Sequence, residues 1–210
     1  IVFKFCKWFS YKDVKLSKDS NDDIINMFQG FKYQEIITED FTIIQPFLNH
    51  IKTIICNNDD KKYDYFMKWW ASIFQEITVK IGTMPIIYGS QGSGKSFTVE
   101  IFCDLLCYFA LANVDDLDKV FGKFNGLIRN HLVINLNETP NATDRFGLNS
   151  RMKARITQVP FIIETKGIDQ RKGESWTNYI MTTNNAFPVQ EEKGNRRIIY
   201  FETANNKCGD

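Results

Sequence analysis

The stretch Met84–Ser96, MPIIYGSQGSGKS, decides how this chain folds. Met84–Tyr88 is a short apolar run suited to a buried strand. The residues after it, Gly89, Ser90, Gln91, Gly92, Ser93, Gly94, Lys95 and Ser96, fit the pattern G-x-x-x-x-G-K-[ST]. Glycines let the backbone curl until consecutive N–H groups point inward at phosphate oxygens. The helix that follows adds a positive partial charge at the same place. Lys95 supplies an ammonium for the β- and γ-phosphates, and the Ser96 hydroxyl is a ligand for Mg²⁺. A strand before the loop and a long helix after it are the context the pattern requires, so the expectation is a site for ATP with Mg²⁺.

Reading outward from the loop, Ile101, Phe102, Leu105, Leu106 and Phe109 form a wide apolar stripe on the following helix. Further short apolar runs stand at His131–Leu136, Phe161–Ile163, Tyr179–Met181 and Ile198–Phe201. Short apolar strands separated by helical or polar stretches predict an α/β fold, a P-loop NTPase core with a central, largely parallel sheet over residues 81–210. Upstream, residues 1–80 read as a helical, collar-like segment. One helix is predicted from Thr38, with Phe41, Ile44, Phe47, Leu48, Ile51, Ile54 and Ile55 at three- and four-residue steps, although Pro46 falls early in it. After the polar connector NNDDKK at 57–62 a second helix carries Tyr65, Phe66, Trp69, Trp70, Ile73, Phe74 and Ile77.

Three later stretches carry candidate chemistry. Leu132–Glu138 is a buried strand ending in Asn137-Glu138. In ATPases the strand beside the loop strand ends near Mg²⁺, so Glu138 is the expected base or water-positioner, while Asn137 can touch the metal weakly or through water. Tyr179–Asn185 ends in two amides, and Asn184 at the tip of a strand lying between the other two can hydrogen-bond a γ-phosphate and the attacking water. Gly194–Phe201 puts Arg196 and Arg197 before an apolar strand, and either guanidinium could neutralise transition-state charge in a neighbour's nucleotide.

Composition narrows the class. With 43% apolar and 24% charged residues the chain is neither disordered nor fibrous. A net charge of +1 gives no global basic field, so any nucleic-acid surface must be local. The five cysteines are scattered without a C-x-x-C pair, which argues against a zinc site and for a reducing, intracellular compartment, the cytoplasm or nucleus of a host or infected cell. No apolar run reaches the roughly 18 residues a membrane span needs. The chain opens on Ile1, so a longer protein is expected around it.

GSQGSGKS (89–96), INLNE (134–138), IMTTNN (180–185) and NRRIIYFE (195–202), in that order, resemble the superfamily 3 helicases of viruses, plasmids and phages. More narrowly, they are similar to the motor part of poxvirus-type and giant-virus-type primase-helicases, and NMFQGF (26–31) is similar to a short element preceding the motor there. The resemblance implies an AAA+-like ring ATPase, usually a hexamer, that moves along single-stranded nucleic acid, here expected to be DNA, with a primase domain on the same longer chain. It assigns Lys95 and Ser96 to Mg–ATP, Glu138 to water activation, Asn184 to sensing, and Arg197 (or Arg196) to a trans-acting finger. It also implies a nucleic-acid hairpin loop in the matching stretch Glu164–Trp176, where Lys166, Arg171 and Lys172 could contact phosphates. The family pattern often has an acidic residue where Asn137 stands. Two other classes carry a glycine-rich loop of this kind: a small-molecule kinase, which needs an arginine-rich lid that 97–137 does not offer beyond Arg129, and a nucleotide-binding module without turnover.

Overall fold

The computed structural model describes residues 31–32, 40–77, 79–123, 125, 126, 128, 131–137, 145–165, 168–186, 188–189 and 194–204. Five strands, β1 (Met84–Tyr88), β2 (Ala110–Val114), β3 (Val133–Asn137), β6 (Asn178–Thr183) and β7 (Ile198–Glu202), form one sheet in the order β2-β3-β6-β1-β7. Every neighbouring pair in it is parallel. The intervening strands β4 (Pro160–Thr165) and β5 (Ile168–Glu174) pair only with each other, as an antiparallel hairpin.

A parallel sheet needs cover on both faces, and alternation along each strand supplies apolar residues to both. On one face Ile87, Val133, Ile180 and Phe201 pack with Phe66, Trp69 and Trp70 of α2 (Asp60–Gln75) and Val99, Phe102 and Leu106 of α3 (Lys95–Leu106). On the other face Ile86, Ile134, Leu136 and Met181 meet Val120 and Phe121 of α4 (Leu117–Phe121) and Met152 and Ile156 of α5 (Arg145–Thr157). The result is three layers, helix on sheet on helix. The Trp70 ring stacks on Phe102 at 4.4 Å between centroids with planes 9° apart, which fixes α2 against α3. The helices upstream of residue 80 therefore share a core with the glycine-rich loop's own helix.

The second predicted helix matches α2: Asp59 caps it by accepting from the Lys61 and Lys62 amides at 2.9 and 3.1 Å. The first predicted helix begins later than expected. Thr38 and Glu39 lie outside the described residues, Thr42–Ile44 form a turn, and α1 covers Gln45–His50. Pro46 is the reason: its ring suits a helix start but not an interior, so the chain is helical only around it and beyond. Phe41 and Ile44, expected in the core, are exposed, whereas Ile51, Ile54 and Ile55 of the π-helical turn Ile51–Ile55 are buried. On α3 the buried face is Thr98, Val99, Phe102, Cys103 and Leu106, so Leu105 drops out of the expected stripe and is 39% exposed. The Phe161–Ile163 run belongs to the hairpin, not to the parallel sheet.

The outer edge of β4 is held by a side chain. Asn125, itself buried, donates from Nδ2 to the Ile162 carbonyl (3.0 Å) and accepts at Oδ1 from the Glu164 amide (3.2 Å), as a neighbouring strand would. Burial pushes the Cys56 and Cys103 thiols up to about 12, as small apolar core residues. Among the described residues no helix is long and apolar enough to cross a membrane.

Candidate functional site

The parallel strands all deliver their C-terminal ends to one edge of the sheet, the edge where ligands sit in open α/β folds. Tyr88 at the end of β1 is in register with Thr183 at the end of β6, and Thr182 is in register with Asn137 at the end of β3. β6 thus lies between β1 and β3. The strand carrying Asn137 is not beside the loop strand, and the strand carrying Asn184 separates them.

From β1 the chain enters the glycine-rich loop. Gly89 has φ +147° and faces Thr203, so that a Cβ there would lie 3.1 Å from the Thr203 Cβ. Gly94 is the left-handed residue (φ +75°) that starts α3, and a Cβ on it would stand 2.7 Å from the His50 ring atoms Cε1 and Nε2. Both positions need glycine for conformation and for room. The loop is therefore backed by α1 and by the segment after β7. There the Ala204 amide donates to the Ile54 carbonyl (2.9 Å), and the Thr203 hydroxyl lies 3.4 Å from the Ser93 hydroxyl.

Lys95 is 6% exposed and folds back over this loop. Its ammonium donates to the carbonyls of Gly89 (3.0 Å) and Ser90 (2.7 Å) and to the Ser93 hydroxyl (3.2 Å). A cavity of about 340 Å³ opens in front. It is lined by Gln91–Phe97 of the loop and α3, by Asn137 of β3, and by Thr182, Thr183 and Asn184 of β6. Three stretches far apart in sequence thus meet in one concavity. Asn137 Oδ1 accepts from the Thr182 hydroxyl at 3.2 Å, which orients the amide toward β6.

Of the predicted residues, the loop residues from Gln91 to Ser96, Asn137 and Asn184 line this cavity; Gly89 and Ser90 lie behind it and bond Lys95. Glu138 lies outside the described residues, one position beyond Asn137. Arg197 is elsewhere. Its carbonyl accepts from the Met84 amide (2.7 Å) at the start of β1, and its own amide donates to Asn195 Oδ1 (3.0 Å). β1 is about 16 Å long at about 3.3 Å per residue, more than an extended arginine can span, so Arg197 and its own chain's cavity occupy opposite edges of the sheet. Arg196, at the same edge, is exposed. Lys166 lies outside the described residues; Lys172 is exposed on β5, and Arg171 is in register with Ile163 in the same hairpin.

Sequence reasoning did not single out Thr182, Thr183, Phe97, Thr203 or His50. The threonines stand inside the quoted IMTTNN run, and strand pairing alone reveals that both reach the cavity. Phe97 follows Ser96 directly and is 60% exposed at the mouth. Nothing local marks Thr203 or His50, whose approach to the loop is a matter of tertiary packing.

A family model described as a family of unknown function, DUF5906, matches residues 87–197, which takes in the loop, β3, β6 and the Arg196-Arg197 pair. The chain belongs to that family. This DUF5906 member is 28% identical over 160 residues to a protein named DNA Primase-polymerase from Nitratiruptor phage NrS-1, an alignment covering 74% of this chain. The chain spans 22% of that relative's length. Its fold is that of the solved apo C-terminal region (305–718) of the NrS-1 protein, with a TM-score of 0.83 at 23% identity over 97% of this chain and 48% of the solved one. An A-form apo structure of the same region gives a TM-score of 0.78 at 22% identity, covering 97% of this chain and 46% of the other.

Proposed function

We propose that this chain is the ATP-hydrolysing motor of a phage-type replication protein, a superfamily 3 helicase module that works as a ring on single-stranded DNA. The observation that carries the proposal is the single cavity shared by Gln91–Phe97, Asn137 and Thr182–Asn184. Its volume falls in the range of small-molecule sites. Its donor set, backbone amides at the start of α3 with the Lys95 ammonium and the Ser96 hydroxyl, suits a polyphosphate carrying a divalent ion. Kinship with a phage primase-polymerase supports a replication setting and a primase domain on the same longer chain. On this reading residues 1–80 form the collar and 81–210 the P-loop NTPase core.

In the reaction, the loop amides and Lys95 hold the β- and γ-phosphates, exchanging the carbonyl contacts of Lys95 for phosphate oxygens. Ser96 would hold Mg²⁺ together with Asn137 and Glu138, and the ion would supply charge neutralisation on the phosphate oxygens. Glu138 takes the proton of the attacking water, and Asn184 orients that water. Arg197, at the far edge of its own sheet, serves a neighbour's cavity. On the same reading Lys166, Arg171 and Lys172, in the stretch 164–176, bind nucleic-acid phosphates. The test is an ATPase assay with and without single-stranded DNA, alongside a mass measurement of the assembly with nucleotide. DNA-stimulated turnover from an oligomer is the expected result. Phosphoryl transfer to a metabolite, or no turnover at all, would overturn the proposal.

A further inference from the structure

The hairpin is rooted at the edge of the sheet opposite the cavity. Its base is closed by the Ser175 amide donating to the Val159 carbonyl at 2.8 Å, and the chain then passes through Ser175–Asn178 into β6. This root is buried: Ser175, Thr177 and Asn178 are 3%, 1% and 4% exposed. Two neighbouring segments hold it. From the side of β3, the Thr177 hydroxyl lies 2.8 Å from the Ile128 carbonyl and 2.6 Å from that of His131, and the Asn178 amide donates to Leu132. From the side of β1, the Lys80 ammonium donates to the Ser175 carbonyl (3.3 Å) and sits 5.5 Å from the centre of the Tyr179 ring. The Ile81 amide donates to Asn178 Oδ1 (3.1 Å).

The Lys80 contact is expensive. Burial strips water from its ammonium, and Arg155, another cation, bears on it as well. An apolar side chain would fill the position at less cost but could not donate to Ser175. What the lysine adds is a link between the residues entering β1 and the foot of the hairpin. From that link two strands run side by side to the cavity. β1 ends in the glycine-rich loop and β6 ends in Thr182 and Thr183, with Ile86 in register with Met181 and Tyr88 with Thr183.

We propose that Lys80 is a positioning residue that ties the root of the β4–β5 hairpin to the segment entering β1, so that load on the hairpin reaches the phosphate cavity through the paired strands β1 and β6. The inference rests on the motor reading above, in which the hairpin meets nucleic acid and the cavity turns over ATP. Coupling of this kind runs through packed, hydrogen-bonded elements, and the physical test is whether both ends respond to one change between them.

The experiment uses the full chain with Lys80→Met and, as the conservative variant, Lys80→Arg. Turnover is measured with and without an oligothymidylate, and hydrogen exchange is followed over residues 159–178. For Lys80→Met the expectation is basal turnover within about twofold of the parent, stimulation by DNA reduced at least about fivefold, and faster exchange at 175–178. Lys80→Arg should keep most of the stimulation and the slow exchange. Unchanged exchange in Lys80→Met would overturn the tie itself. Faster exchange with undiminished stimulation would reduce Lys80 to a structural prop and overturn the coupling. If the parent chain hydrolyses no ATP, the motor reading falls and with it the coupling, while the exchange arm still decides whether Lys80 holds the hairpin root.

Discussion

Lys95 shows how much a single residue can be asked to do. Its three donors are already used on Gly89, Ser90 and Ser93, so on the motor reading a nucleotide would have to offer better acceptors than neutral oxygens, as phosphate does. Replacing Lys95 by Ala should weaken ATP binding by at least about tenfold, the loss of one charge-assisted contact worth about 1.5–3 kcal/mol. Titration with a fluorescent ATP analogue checks this, and parent-like affinity would remove the loop from the mechanism. Lys80 makes a different prediction. Burial and then Arg155 push its ammonium down from 10.5 to about 7. The unfolded chain therefore binds more protons than the folded one between those values, so this residue's contribution to stability rises with pH across that window and is least favourable below about 7. Lys80→Met should stabilise the fold more at pH 6 than at pH 10, as read by urea denaturation at the two pH values. At this scale the meeting of the loop with Asn137 and Asn184 in one cavity was legible, because each stands at or just past the end of a strand that its apolar run marked out. Thr203 and His50 were not, because what they do for Gly89 and Gly94 is set by packing from distant parts of the chain.

Elements were legible wherever local rules met no conflict. The apolar spacing of α2 and the capping Asp59 gave a helix close to the observed one, since both signals act within a turn or two. Pro46 overrode the periodicity of the first helix and moved its start to Gln45. The stripe on α3 was misread at Leu105 because several adjacent apolar residues left its facing direction undetermined until the sheet was in place. The contact most exposed to mutation is the one between α2 and α3. Trp70 is 1% exposed and touches Phe66, Trp69 and Phe102. Trp70→Ala should cost about 3–5 kcal/mol in unfolding free energy, measured by chemical denaturation. A loss below about 1 kcal/mol would mean that the helical segment carries little of the core.

The order of strands was legible only in part. The strand ending at Asn184 was expected between the other two, where β6 lies, but the strand ending at Asn137 was also expected beside the loop strand, and alternation along a strand could not show, as the pairing does, that these two expectations exclude each other. The separation of Arg197 from the cavity follows from that pairing, because parallel strands place their starts and ends on opposite edges. It yields a test at the level of the assembly. Arg197→Ala and Glu138→Gln chains should each be inactive, and mixing them should restore part of the turnover through interfaces that pair an intact arginine with an intact glutamate. Absence of any rescue would mean that the arginine does not act across an interface.

The lengthwise span of β1 then has a consequence for how the chain must be handled. On the motor reading, a molecule that cannot bring its own guanidinium to its own loop would carry one part each of two different reaction centres. Catalysis that needs both parts depends on encounter between copies, so turnover per chain should collapse on dilution and return on concentration, even with ATP saturating throughout.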